Sequence, residues 1–221
     1  MKTSFIIRSA VLFVLVAPAA WTQPSTMANP PDEEGLVLIH VDGLDHVRAR
    51  PGANLSGYDK VMLDPVEVSF SKSWKPDPAG GPITAAERQA IRDGLSRIVR
   101  EELKKELAKS GRYSLTDRAD TDVLRVRAEI RDLYINAPDV PRAGSTRVYA
   151  LSVGEMRLVA ELRDAPTAAL IARVIDFKKD PDAPWLHFTT RLDNVAAARR
   201  AATDWARILR RQLDNAHAVK E

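Results

Sequence analysis

Cysteine is absent from the 221 residues. That absence excludes disulfides, thiolate nucleophiles and Cys-ligated zinc or iron–sulfur centres together, and it removes the residue on which a bacterial lipoprotein carries its acyl chains. No apolar run approaches the roughly twenty residues of a membrane-spanning helix. No Gly-x-Gly-x-x-Gly or Gly-x-x-x-x-Gly-Lys-Ser/Thr string offers a phosphate cradle, no His-Glu-x-x-His pair sits at zinc spacing, and no Gly-x-Ser-x-Gly elbow presents a nucleophile. Neither charge sign dominates, with 33 basic against 30 acidic residues, so total charge argues for no nucleic-acid partner. These absences leave no catalytic residue, no cofactor site and no metal site to nominate.

The first twenty residues are the most informative stretch. Lys2 and Arg8 precede the apolar run Ala10 to Ala17, and Ala17-Pro18-Ala19 supplies a small-x-small cleavage site, which is the layout of a secretory signal peptide. A retained anchor is the alternative, but the run is too short and carries Pro18 near its end. Cleavage removes two basic residues and brings the net charge from +3 to about +1. The expected organisation is a signal peptide over 1–19, a flexible linker over 20–34, where Pro24, Pro30 and Pro31 lie in a polar stretch, and a single domain over 35–221. At about 190 residues that domain is large enough to hold together by its core alone.

Hydrophobic periodicity sets the elements. A first strand is expected at Leu36 to Val41 and a second at Lys60 to Phe70, at an edge or bulged because Pro65 interrupts its ladder. The loop Lys75 to Pro82 is turn chemistry, and Thr84-Ala85-Ala86-Glu87 after it reads as a capping box. The helix it opens places Ile91, Leu95, Ile98, Val99, Leu103 and Leu107 on one face, stops at Gly111, and turns a Lys/Arg/Glu face to solvent. The period then falls to two at 122–134 and at 148–163, predicting neighbouring antiparallel strands with Val126, Ile130, Met156 and Leu158 in the core. A third strand follows at Ala169 to Phe177. The final helix, about Asn194 to His217, sets Val195, Ala198, Ala202, Trp205, Leu209 and Leu213 on one side and Arg199, Arg200, Arg207, Arg210 and Arg211 on the other. The order implies an α+β fold, a largely antiparallel sheet with two main helices packed on one face.

The run Arg50-Pro51-Gly52-Ala53-Asn54-Leu55-Ser56-Gly57-Tyr58-Asp59-Lys60-Val61-Met62-Leu63-Asp64-Pro65-Val66-Glu67-Val68, followed by Trp74, resembles the signature of the bacterial family DUF3313, a domain of unknown function. The similarity extends through the long helix to the closing Asp193-Asn194 and Trp205-Ala206 stretch. It implies an exported cell-envelope protein, often a lipoprotein, and brings no catalytic residues with it. This chain departs from the lipoprotein pattern because it lacks the acylated cysteine.

Candidate chemistry is sparse. His40, Asp42, Asp45 and His46 flank an Asp-Gly turn and form the densest group of potential metal ligands, but Asp and Gly belong in such a turn without a metal. Asp176, Asp180 and Asp182 with Lys178 and Lys179 read as a polar strand exit, since the EF-hand order is missing. The loops Trp74 to Ile83 and Asn136 to Thr146 are candidate recognition loops. The arginine row Arg199, Arg200, Arg207, Arg210 and Arg211 is the candidate anionic-surface site, weighed against an ordinary solvated face.

The leading functional reading is a non-catalytic periplasmic or secreted domain that binds or scaffolds another envelope protein. Two readings stand beside it: an envelope hydrolase whose site is assembled only in the fold, and a lipid- or lipopolysaccharide-interacting module using the basic last helix. Export is directly testable: the protein recovered from the periplasmic fraction is expected to begin at Ala20 or Trp21 on N-terminal sequencing. An intact Met1 species that stays with membranes through a high-salt wash is the opposing result.

Overall fold

The computed structural model describes residues 31–74, 84–136, 152–179 and 191–218. The proposed signal peptide, most of the linker, both candidate recognition loops apart from their first residues, and Asp180 and Asp182 lie outside the described residues.

Period-two patterning produces a sheet of eight strands. In chain order the elements are β1 (Val37–Ile39), β2 (His46–Ala49), β3 (Lys60–Leu63), β4 (Glu67–Phe70), α1 (Ala85–Ala108), β5 (Ser114–Leu115), β6 (Val123–Asn136), β7 (Ser152–Asp164), β8 (Leu170–Lys179) and α2 (Arg191–Ala218). The sheet runs β1-β2-β8-β7-β6-β3-β5, with β4 also paired to β6. The β1, β2, β8, β7 and β6 pairings are antiparallel. The expected α+β architecture with a mostly antiparallel sheet is therefore present.

Three details depart from the sequence expectation. The stretch 60–70 is two strands rather than one: Pro65 lacks an N–H to donate, and the chain breaks between β3, which pairs with Val123 to Val126, and β4, which pairs with Glu129 to Leu133. Both run parallel to β6, as does β5 to β3. The reason is topological, because α1 lies between β4 and β6 and a helical crossover returns the chain in the same direction. Finally, β2 falls where a polar turn was expected. Its outward residues His46 and Arg48 masked an inward Val47 that is only 5% exposed.

The capping box of α1 forms as the spacing requires. Glu87 N–H donates to Thr84 Oγ1 at 3.2 Å, and Thr84 N–H donates to Glu87 Oε2 at 2.7 Å. The apolar stripe of α1 is buried, but so are Glu102 and Glu106. Those two glutamates meet α2, while Arg88, Asp93, Arg97, Arg100, Glu101, Lys104 and Lys105 stay on the exposed polar face as expected.

One core layer lies between the sheet and the two helices. Ile130, Leu133, Met156 and Leu158 pack with Leu95, Ile98, Ala198 and Trp205 at one end, and Val61, Leu124 and Val126 pack with Leu103, Leu107 and Leu213 at the other. The strands expected to be neighbours are so, in a register that sets Ile130 opposite Leu158 and Val126 opposite Leu162. At Asp132, φ is 53° and the register shifts, so a bulge interrupts β6.

Two tyrosines tie the far end of the layer. Tyr113 Oη donates to Asp214 Oδ1 at 3.0 Å and Tyr58 Oη to Asp164 Oδ1 at 3.1 Å. Burial first, and then the carboxylate partner, pushes each phenol up to about 12. The folded state therefore holds these protons more tightly than the unfolded chain, whose phenols titrate near 10. The stabilisation is complete below about pH 10 and is lost as pH rises toward 12.

Two outcomes are expected in urea unfolding. Ile130→Asp, which puts an unpaired charge where the native side chain is fully buried, should cost about 3 kcal/mol or more; an unchanged midpoint would mean that this face is not core. Tyr113→Phe should cost about 1 kcal/mol at neutral pH and should lose less stability than the parent between about pH 10 and pH 12.

Candidate functional site

Alanine repeats at inward positions of three adjacent strands, and the pairing registers set these residues beside one another. Ala128 of β6 lies opposite Ala160 of β7, which lies opposite Val174 of β8. One step along, Ala172 of β8 lies between Leu162 of β7 and Ala49 of β2. The helix above repeats the pattern, with Ala198, Ala201, Ala202 and Ala206 buried toward the sheet. An alanine side chain ends at Cβ, so rows of alanine on both layers leave space where larger side chains would interdigitate.

That space is a cavity of about 670 Å³ between the sheet and α2. Val47, Ala160, Ala172 and Val174 are among its floor residues, Ala202, Trp205, Ala206 and Leu209 among its roof residues, and Val99 and Leu103 of α1 form a side wall. Among the described residues no charged one lines it, and its polar side chains are Asn54, Gln212, Asn215 and the indole of Trp205. It meets solvent at the exposed Gly52, Ala53 and Asn54 of the loop before β3, at Asn215 near the end of α2, and at the β1 edge, where Ile39 is 41% exposed. The run 50–68 that carries the family resemblance thus builds part of the mouth and all of β3.

A single large side chain keeps the roof off the floor. Trp205 spans from α2 to the sheet, and its Nε1–H donates to Asp176 Oδ2 at 2.6 Å. Asp176 is 1% exposed, so its carboxylate has left water and depends on its protein partners. They are the Trp205 indole, the backbone N–H of Asp45 at 3.1 Å and Lys178 Nζ at 3.0 Å. The same turn is clamped from three further directions. Asp45 Oδ2 accepts from Phe177 N–H at 2.8 Å, Lys178 Nζ reaches Gly43 O, and Arg211 donates to Asp42 O at 2.9 Å. Gly43 has a φ of +89°, and a Cβ there would come within 3.0 Å of Ile208 Cδ1. The left-handed backbone at this position favours glycine, and a larger residue would also push on the Ile208 side chain.

This corrects the reading of Asp176 as part of a polar strand exit. Its alternation with Val174 and Ala172 placed it on the inward face, and Trp205 was the one core-stripe residue of α2 with a donor to satisfy. Together those two signals could have identified the pair. The alanine rows were equally visible as a pattern, but only the register shows that they coincide.

The other sequence-nominated groups do not converge on the cavity. His40 Nε2 and Asp42 Oδ1 are 3.0 Å apart on exposed side chains, the Asp45 carboxylate accepts from the Phe177 N–H, and His46 faces outward on β2. Among the described residues no group of three or more His, Asp and Glu could hold a metal ion. The arginines of α2 divide between two environments. Arg199 lies 3.3 Å from Glu102 and 4.0 Å from Glu101, and Arg210 lies 3.8 Å from Glu106 and 2.8 Å from Asp214, forming a charged seam with α1. Arg207 pairs with Asp204 at 3.0 Å, Arg211 holds the Asp42 carbonyl, and Arg200 is exposed.

A second, shallower concavity of about 840 Å³ lies on the opposite face of the sheet. Its Arg131, Arg157 and Arg173 already hold Glu129, Asp132 and Glu161 at 2.6, 3.0 and 2.9 Å. Burial alone would raise Glu161, but hydrogen bonds from Arg173 and Arg163 outweigh it and hold that carboxyl below its ordinary value. This surface is internally neutralised rather than set for an anion.

Comparison with known proteins assigns the fold no chemistry. No curated protein matches the chain. Among solved structures, it is similar to a PelC dodecamer from Paraburkholderia phytofirmans at 9% identity and a TM-score of 0.39, covering 74% of this chain and 97% of that one. It is similar to a DUF330 protein from Xanthomonas campestris at 13% identity and a TM-score of 0.39, covering 76% and 93%. A candidate lipoprotein from Caulobacter crescentus is 16% identical with a TM-score of 0.34, covering 76% and 94%. Likenesses at these TM-scores carry no functional assignment. The family is another matter: a family model described as "Protein of unknown function (DUF3313)" matches residues 40–209, and the chain belongs to that family.

Proposed function

We propose that this is an exported cell-envelope protein whose domain binds a small apolar ligand between its sheet and α2 and performs no chemistry on it. The signal-like layout of Lys2 to Ala19 supports export. The observation that carries the binding reading is the cavity itself, of about 670 Å³ and lined by no charged residue among those described. Ligand sites are typically concave, mostly apolar and about 300–1,000 Å³ in volume, with a few polar groups that set orientation.

The magnitude argues against a packing fault. Sealed and empty, such a void would cost about 16 kcal/mol at roughly 24 cal/mol per Å³. The whole net stability of a domain is about 5–15 kcal/mol. The space is therefore open and occupied by solvent or by a ligand, and its apolar walls favour the ligand. An enzyme would bring two or more ionisable groups together in its concavity, whereas among the described residues none lines this one, and the carboxylate of Asp176 holds Trp205.

The test is titration of the exported protein with a neutral, environment-sensitive dye such as N-phenylnaphthylamine. Saturable binding at one dye per chain is expected. Ala160→Phe and, separately, Ala202→Phe, which fill the cavity from its floor and its roof, should each weaken that binding at least about tenfold, or about 1.4 kcal/mol. Circular dichroism reports whether each variant keeps its fold. Absence of saturable binding by the parent, or full binding by a folded filled variant, would overturn the reading.

A further inference from the structure

We propose that the ligand is an amphiphile with a single acyl chain, held with its tail in the cavity and its head group at the mouth. This rests on the binding reading above and adds the chemical class, the orientation and what is not recognised.

The shape indicates a chain. Along α2 the lining residues run from Ala202 to Ala216, a distance of about 21 Å at 1.5 Å per residue. The cavity of about 670 Å³ therefore follows α2 over about four turns instead of sitting under one of them. Taking about 30 Å³ as the space for one methylene-sized group, it holds at most about twenty such groups, which suits a chain of about twelve to eighteen carbons in a loosely filled site. The 41–45 turn, pinned to Asp176 and to α2, limits the slot near Trp205.

The distribution of polar atoms sets the orientation. Apart from the Trp205 indole, which is engaged with Asp176, the polar side chains of the lining among the described residues are Asn54, Gln212 and Asn215, with Asn54 and Asn215 exposed at the mouth, while the opening at the β1 edge is bounded by the apolar Ile39. Asn54 Oδ1 already accepts from Ser56 N–H at 2.8 Å, which leaves its amide N–H₂ to donate. A head group at that mouth therefore meets amides and water.

Two cations close to the slot are committed elsewhere. Arg50, beside the mouth loop, donates from Nε to Leu170 O at 3.0 Å, and Arg211 donates to Asp42 O. Among the described residues no carboxylate or guanidinium lines the slot to select an anionic or cationic head. Affinity is thus carried by the chain, at about fourfold for each methylene buried. Free fatty acids and lysophospholipids share that chemistry, and both belong in the test.

The experiment is displacement of a dansyl-labelled fatty acid from the exported protein by saturated fatty acids, fatty alcohols and lysophosphatidylcholines, from octyl to hexadecyl, each kept below its micelle concentration. Affinity is expected to rise by about fourfold per methylene over the shorter chains and to level off once the slot is full, with the three head groups within a few-fold of one another. Gln212→Trp, which narrows the mouth without touching the floor, should weaken all three series together. Affinity independent of chain length, or carried by one head group alone, would overturn the proposal. If N-phenylnaphthylamine binds and no acyl series displaces it, the acyl assignment falls while the cavity reading stands; if neither binds, both fall.

Discussion

The bond between the Trp205 indole and the buried carboxylate of Asp176 holds the two layers of this protein at their working distance. A carboxylate taken out of water costs several kcal/mol unless its oxygens are satisfied, and here satisfaction comes from three elements at once: α2, the 41–45 turn and the neighbouring Lys178. Loss of any of them leaves a buried charge short of partners. The arrangement therefore ties the position of α2 to the position of β8. With α2 held by so large a side chain, the alanine rows of the two layers cannot close on each other, and the cavity follows from the same contact that stabilises the fold.

A second polar seam holds α2 from the side. Glu102 and Glu106, buried on α1, face Arg199, Thr203 and Arg210 of α2, with Thr203 Oγ1 donating to Glu102 Oε2 at 3.0 Å. Such pairs contribute little net stability against apolar replacements of the same shape, but an orphaned member is costly. They join α2 to α1 along the side of the cavity, as the Trp205 bond joins α2 to the sheet.

The sheet supplies the floor through an uneven division of labour. Strand β6 carries β3 and β4 in series along one edge and β7 along the other, so it is the backbone reference for the core end of the molecule. The cavity floor runs from β6 and β7 across the ten-residue β8 to β2 and β1, which are only four and three residues long.

The sequence by itself determined the elements and their faces, because side-chain period is a local property: the two helices, the capping box at Thr84, the core positions of β6 and β7, and the α+β class are all legible in spacing. It also displayed every residue of the site, including the alanines, Trp205 and Asp176. What it could not express is which of them meet. Parallel pairing of β3 and β4 with β6 depends on a crossover rather than on either strand's pattern, and β2 was hidden by its polar outward residues. The two arginines that look like part of a solvated row become seam residues only because buried glutamates of α1 arrive opposite them. Ala160 and Ala202 are ordinary core alanines until sheet register and helix placement set them across from each other. The absence of volume is a property of the packed pair of layers, and no single stretch of chain contains it.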